Sequence, residues 1–119
     1  MYVTVKLSGN LAEHTALSYD SVNQYWTMAT DTSQLIGILT GVPFQDPDDN
    51  NNWYGPVTIS GQSLYIIADR AIPDEGGFLH IHNGRGYVDN TSHGCGTVAP
   101  RNLDASPAAA DSLILVHIR

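Results

Sequence analysis

Cysteine occurs once in this sequence, at Cys95, and lysine once, at Lys6. One cysteine excludes an intrachain disulfide and a cysteine-rich zinc site, so the fold has to stand on packing. Charge is scarce too, at 14% of residues against about 25% in an average soluble domain. Acidic residues outnumber Lys and Arg by 12 to 5, and the net charge of −7 opposes binding to nucleic acid phosphates. No apolar run approaches the roughly 20 residues of a membrane-spanning helix. The start, Met1-Tyr2-Val3-Thr4-Val5-Lys6-Leu7, lacks the basic and apolar regions of a signal peptide. Synthesis in the cytoplasm without export is therefore expected, and Asn90-Thr91-Ser92 carries little meaning as a glycosylation sequon.

What is present fits one domain spanning residues 1–119, with 42% apolar residues and an unusually neutral surface suited to contact. Apolar periodicity is close to two nearly throughout, and no window sustains a helical repeat. The expected class is all-β, a small barrel or sandwich with β-hairpins and at most one short helical turn. Strands are expected near Tyr2–Ser8, Val22–Met28, Leu35–Val42, Val57–Ala68, Gly77–His82, Arg85–Asn90, Thr97–Ala99 and Ser112–Ile118. The runs Leu35–Leu39 and Leu113–Val116 read as strands covered on both sides, whereas Val3, Val5 and Leu7 alternate with polar residues. The helical turn is expected at Ser106–Asp111, with Ser106 as cap and Pro107 at the first helical position.

The sharpest local signal is Asn83-Gly84, the dipeptide of a two-residue type I′ turn. Counting outward pairs His82 with Arg85, Ile81 with Gly86 and His80 with Tyr87. Leu79, Ile81 and Val88 then share the core face, and His80, His82, Arg85 and Tyr87 share the other.

Three constellations raise chemistry, and each has a simpler reading. His80-Ile81-His82 with His93-Gly94-Cys95 holds the residue types of a transition-metal site. The metal-binding cupin motif needs a Glu four to five residues on, however, where Gly86 and Tyr87 stand, so a surface or interface histidine cluster is the better reading. The segment Asp46–Asn52 starts like a calcium loop, but its sixth position is Asn51 and its twelfth Val57, where Gly and Glu are required. Cys95 has His93 nearby in sequence without a geometry that activates a thiol. No catalytic residue, metal or cofactor is expected. Trp53 and Tyr54 suit contact anchoring, and Trp53 suits equally a lid over one end of the barrel; Trp26 reads as core.

The order of elements resembles the capsid decoration, or cement, proteins of tailed bacteriophages. The resemblance rests on Leu35–Leu39, Val57–Gly61, Ala71–Gly76, Asn83–Val88, Gly96–Ala99 and Ala109–Val116, and spans most of the chain from Leu35 onward. The chain departs from that pattern in Ala109-Ala110-Asp111, where Ala-Gly-Asp is frequent, and in the long acidic insertion Pro43–Tyr54. The resemblance implies a non-enzymatic homotrimer on the outer surface of an icosahedral head near its three-fold positions, partnered by the major capsid protein. The hairpin face of His80, His82, Arg85 and Tyr87 is the first candidate interface, and Trp53 with Tyr54 the second. A carbohydrate- or receptor-binding module using Trp53 and Tyr54, and a cupin-like metalloenzyme, are the competing classes. A Gly-centred strand followed by an apolar strand occurs at Ile36–Ile59 and again at Gly96–Val116, as a pseudo-repeated barrel would require.

Overall fold

The computed structural model describes residues 2–59, 63–100 and 109–118. Among these the chain is all-β apart from a 3-10 turn at Thr32–Gln34, which is capped by the Asp31 carboxylate accepting from Ser33 N–H. The strands are β1 (Tyr2–Leu7), β2 (Ala16–Asp20), β3 (Tyr25–Met28), β4 (Gly37–Leu39), β5 (Phe44–Asp46), β6 (Asn52–Thr58), β7 (Ser63–Ile67), β8 (Gly77–His82), β9 (Arg85–Val88), β10 (Gly96–Val98) and β11 (Leu113–Ile118).

They form two rings. The first runs β1-β3-β2-β4-β6 and closes from β6 back to β1, with β5 added outside β6. Its neighbours are antiparallel except β1 and β3, which meet in parallel at Leu7 and Trp26. The second runs β7-β11-β10-β8-β9, antiparallel throughout. Its ends meet where Ala68, just beyond β7, forms a parallel bridge with Gly86 of β9. Closing a sheet on itself removes the exposed edges that invite unwanted pairing.

Both rings have the same connectivity. In each, the first strand lies between the third and the fifth, and the second between the third and the fourth. Even the register agrees. Gly37 pairs with Leu17 and Gly96 with Leu79, which makes those leucines equivalent. Counting from them through the other ladders makes Trp26 equivalent to Gly86 and Leu7 to Ala68, the very residues that close the two rings. The hydrogen bonds next to the ladders repeat as well: Ser8 N–H to Trp26 O matches Asp69 N–H to Gly86 O, both 2.8 Å. Likewise Ile36 to Leu17 matches Cys95 to Leu79 at 2.9 Å, and Thr40 to Pro56 matches Ala99 to Leu115 at 2.9 and 3.0 Å. The pseudo-repeat expected from Gly37 and Gly96 is thus present in the backbone. Each glycine opens its strand because a Cβ there would run into the facing strand, Val57 and Thr58 in one ring and His117 in the other.

The ring interiors fill the same positions with different volumes. Leu7, Leu17, Leu39 and Val57 pack with Val5 and Trp26 in the first; Ala68, Leu79, Val98, Val116 and Ile66 take those places in the second. Trp26 stands where the second ring has Gly86, and Gly55 where it has Ile114. Large and small residues are exchanged between positions, which conserves filling while changing shape.

Several expectations shift. Val22–Gln24 belongs to a turn, β2 and β5 lie outside the strands read from sequence, and Val57–Ala68 divides into the end of β6 and all of β7. Trp53 and Tyr54 fall inside β6, which begins at Asn52, five residues before the expected start at Val57. Most of the turn expected at Ser106–Asp111 lies outside the described residues. Of the run Leu35–Leu39 only Gly37–Leu39 forms a strand buried on both sides, while Ile36 is exposed ahead of it, and β11 alternates, with Leu113, Leu115 and His117 exposed.

The equivalence of the rings is testable through packing. Gly55→Ile alone should cost about 1–3 kcal/mol by overpacking, since an added Cβ lies 2.7 Å from Leu39 Cδ1 and 3.0 Å from Leu7 Cδ1. Leu7→Ala alone should cost about 2–5 kcal/mol. Together they reproduce the Ala68 and Ile114 arrangement, so urea unfolding should show the double variant losing at least about 0.5 kcal/mol less than the sum; strict additivity would contradict the equivalence.

Candidate contact surface

The β8–β9 hairpin has the register read from its turn, His82 opposite Arg85, Ile81 opposite Gly86 and His80 opposite Tyr87, and the ladder continues with Leu79 opposite Val88. Asn83 and Gly84 have φ of 47° and 79°, the left-handed pair that a type I′ turn demands. Leu79 and Ile81 are buried in the core and Val88 packs against it, as expected.

The opposite face is divided. His80 is only 8% exposed. Its Nδ1 lies 3.4 Å from the Thr32 hydroxyl, and its Nε2 lies 3.0 Å from Asp89 O and 3.3 Å from Ser92 O. Thr32 Oγ1 accepts the Ile81 N–H at 3.0 Å, so its own hydrogen is available to Nδ1. That assigns the Nε2–H tautomer, donating to Asp89 O. His80 therefore ties the Thr32 turn of the first ring to the Asp89–Ser92 segment of the second, and offers little to an outside partner. The expectation of His80 as an open contact residue gives way to this internal role.

Tyr87 is half-buried, its ring 5.6 Å from that of His80 and covered on the outside by the Arg70 guanidinium at 4.0 Å from the centroid. Arg70 is held in turn by Asp69 at 2.7 Å. Arg85 is paired with Asp111. His82 is exposed and forms an antiparallel bridge with Asp31 of the first ring. Among the described residues, no group of three His, Cys, Asp or Glu is placed to hold a metal ion; the Cys95 thiol donates to Leu79 O at 3.4 Å.

Trp53 pairs with Leu7 and packs against the first ring's core, which favours the lid reading over the anchor. Tyr54 stacks on Phe44 of β5 with centroids 6.1 Å apart, and its hydroxyl donates to Asp49. That bond lowers the Asp49 pKa and raises that of Tyr54. The acidic segment is thereby a folded turn, with Asp46 capping Asp48 N–H and Asn50 and Asn51 at positive φ.

A surface that the sequence reading missed lies on the outer side of β7 and β11. Tyr65 pairs directly with Leu115, and Ile67 with Leu113. Tyr65 and Leu113 are each about half exposed, and Leu115 is 36% exposed. Outward apolar pairs in register make one continuous patch, because directly opposed side chains touch. In the first ring the equivalent pairs are Thr4 with Pro56 and Lys6 with Tyr54, and Phe44 stacks on Tyr54. The signal was available in the run Leu113–Val116; what covers each side was not. Comparisons with protein-family models, with curated proteins and with solved structures find no match.

Two outcomes follow from this geometry. Thr32→Val removes the acceptor for Ile81 N–H and the partner of His80, and should cost about 1–3 kcal/mol in chemical denaturation, while Ser33→Ala on the exposed side of the turn costs less. Separately, Asp20, Asp31 and Asp89 have pKa values lowered chiefly by side-chain hydrogen bonds from Asn23, Ser33 and Thr91. Their folded forms release protons more readily than the unfolded chain. Their stabilisation is full above the ordinary carboxylate pKa of about 4 and fades as pH falls below it, so the urea midpoint should drop between pH 6 and pH 3.

Proposed function

We propose that this protein is a structural contact module: a capsid decoration protein that binds the outer surface of an icosahedral phage head as a trimer and stabilises it. The observation that carries the reading is the apolar patch of Tyr65, Ile67, Leu113 and Leu115 on a chain with very little charge. Exposed apolar side chains gathered on one sheet face mark an interaction site, and interfaces are depleted of charge at their centres. The closed rings supply a rigid support for that face. The resemblance in element order to phage cement proteins supplies the partner, the major capsid protein, with self-association into a trimer and a place outside the virion shell. The role is one of binding, with no reaction assigned.

Incubating undecorated heads with excess protein and imaging them by cryo-electron microscopy tests this. Density in three-fold clusters at regular lattice positions is the expected result. Leu115→Asp should weaken occupancy by a hot-spot amount of about 1–3 kcal/mol without unfolding the domain, because Leu115 is outside the core. Heads left bare at saturation, or decorated in numbers unrelated to three-folds, would overturn the reading in favour of a carbohydrate- or receptor-binding module.

A further inference from the structure

The two rings are joined by a contact that is not symmetric. The tip of the β8–β9 hairpin enters the end of the first ring: Ala16 N–H donates to Gly84 O at 2.8 Å, Gly84 N–H to Ala29 O at 2.7 Å, and Asn83 N–H to Thr30 O at 3.0 Å. A Cβ on Gly84 would meet Met28 and Thr15, so the tip is tightly seated. The receiving socket is the start of β2 and the residues just past β3, held together by Ala29 N–H donating to Ala16 O at 2.9 Å.

By the register above, the second ring contains the same socket. Phe78 is equivalent to Ala16 and Asp89 to Ala29, and Asp89 N–H donates to Phe78 O at 3.1 Å as its counterpart does. Among the described residues no hairpin enters there. The Phe78 N–H, which in the first ring's place would seek a turn carbonyl, is taken by the Asn90 side-chain oxygen at 3.0 Å. Asp89 O, the counterpart of the carbonyl that accepts Gly84 N–H, is taken by His80 Nε2. The first ring's own hairpin tip is equally closed: Asp20 accepts from Val22 N–H, Asn23 N–H and the Asn23 side-chain amide.

We infer that the chain is a head-to-tail pair of one repeated ring, and that the Asn90 side chain stands in for a hairpin tip, closing a second copy of the socket that otherwise fits a type I′ hairpin of another copy of this chain. A contact between unlike surfaces can propagate into a ring or filament unless its ends are blocked. Asn90 blocks one end with a side-chain carbonyl in place of the Gly84 carbonyl, and Asp20 holds the other in a longer, self-bonded turn. This inference does not depend on the capsid reading.

The test uses the full chain with Asn90→Ala and Asn90→Asp, the latter retaining an acceptor oxygen. Amide hydrogen exchange should speed up at least tenfold at Phe78 in Asn90→Ala, stay near the parent value in Asn90→Asp, and leave Ala16 unchanged in both. The probe for the socket is a backbone-cyclised hairpin peptide carrying Ile81-His82-Asn83-Gly84-Arg85-Gly86. It should shift the Phe78 amide resonance of Asn90→Ala saturably, and bind the parent at least tenfold more weakly. Unchanged Phe78 exchange in Asn90→Ala would overturn the cap. Faster exchange with no Phe78 response up to millimolar peptide would overturn the socket. Loss of Ala16 protection in Asn90→Ala would show Asn90 to be a general stabiliser of the fold, and would overturn a cap confined to the second ring's end.

Discussion

The placement of one ring against the other hangs on the backbone of Gly84. Its N–H and its carbonyl are both spent on the other ring, one to Ala29 O and one from Ala16 N–H. Around that exchange sit the Thr32 hydroxyl on Ile81 N–H and the buried His80 ring. Unpaired buried backbone groups are costly, so the joint fixes the position of one ring against the other through groups that have no alternative partner. Ala16, Ala29 and Ile38 of the first ring accordingly belong to the same buried cluster as the second ring's interior.

This arrangement explains why a chain with so few charges and no crosslink keeps a defined shape. Neither ring has to bury a large core alone. The first closes over four buried aliphatic residues, with Trp26 and Trp53, both paired with Leu7, packed against them, while the second shares its core with the end of the first. Polar side chains serve mainly to finish turns: Asp20, Asp31, Asp46 and Asp89 each accept from an N–H two residues on, the local bond that makes Asp a turn residue.

The sequence was most legible where one residue type has one conformational solution. Asn83-Gly84 specified a turn, and the turn specified three residue pairs. It was least legible where meaning depends on what lies opposite. Ala16–Asp20 shows little alternation and becomes a strand because β3 and β4 flank it. Phe44–Asp46 is a strand only by pairing with β6. The paired exposure of Leu113 and Leu115 cannot be read from a run of apolar letters that suits a covered strand as well. The repeat was visible at Gly37 and Gly96, where the facing strand leaves no room for a side chain. Elsewhere it was erased, because Leu7, Trp26 and Gly55 are answered by Ala68, Gly86 and Ile114, a trade in volume that leaves no shared letters. His80 was singled out for its chemistry, yet its position under Thr32 is a fact of tertiary structure.

Each ring also has a seam. The parallel junction consists of one residue pair, Leu7 with Trp26 or Ala68 with Gly86, and one adjoining 2.8 Å bond, whereas the antiparallel ladder beside it runs over five or six pairs. In energetic terms each ring is a sheet curled until its margins just touch. Thermal breathing should therefore begin along these two lines, with the curl relaxing while the long ladders stay intact. A molecule built this way yields in two matched places, and it yields by uncurling before it melts.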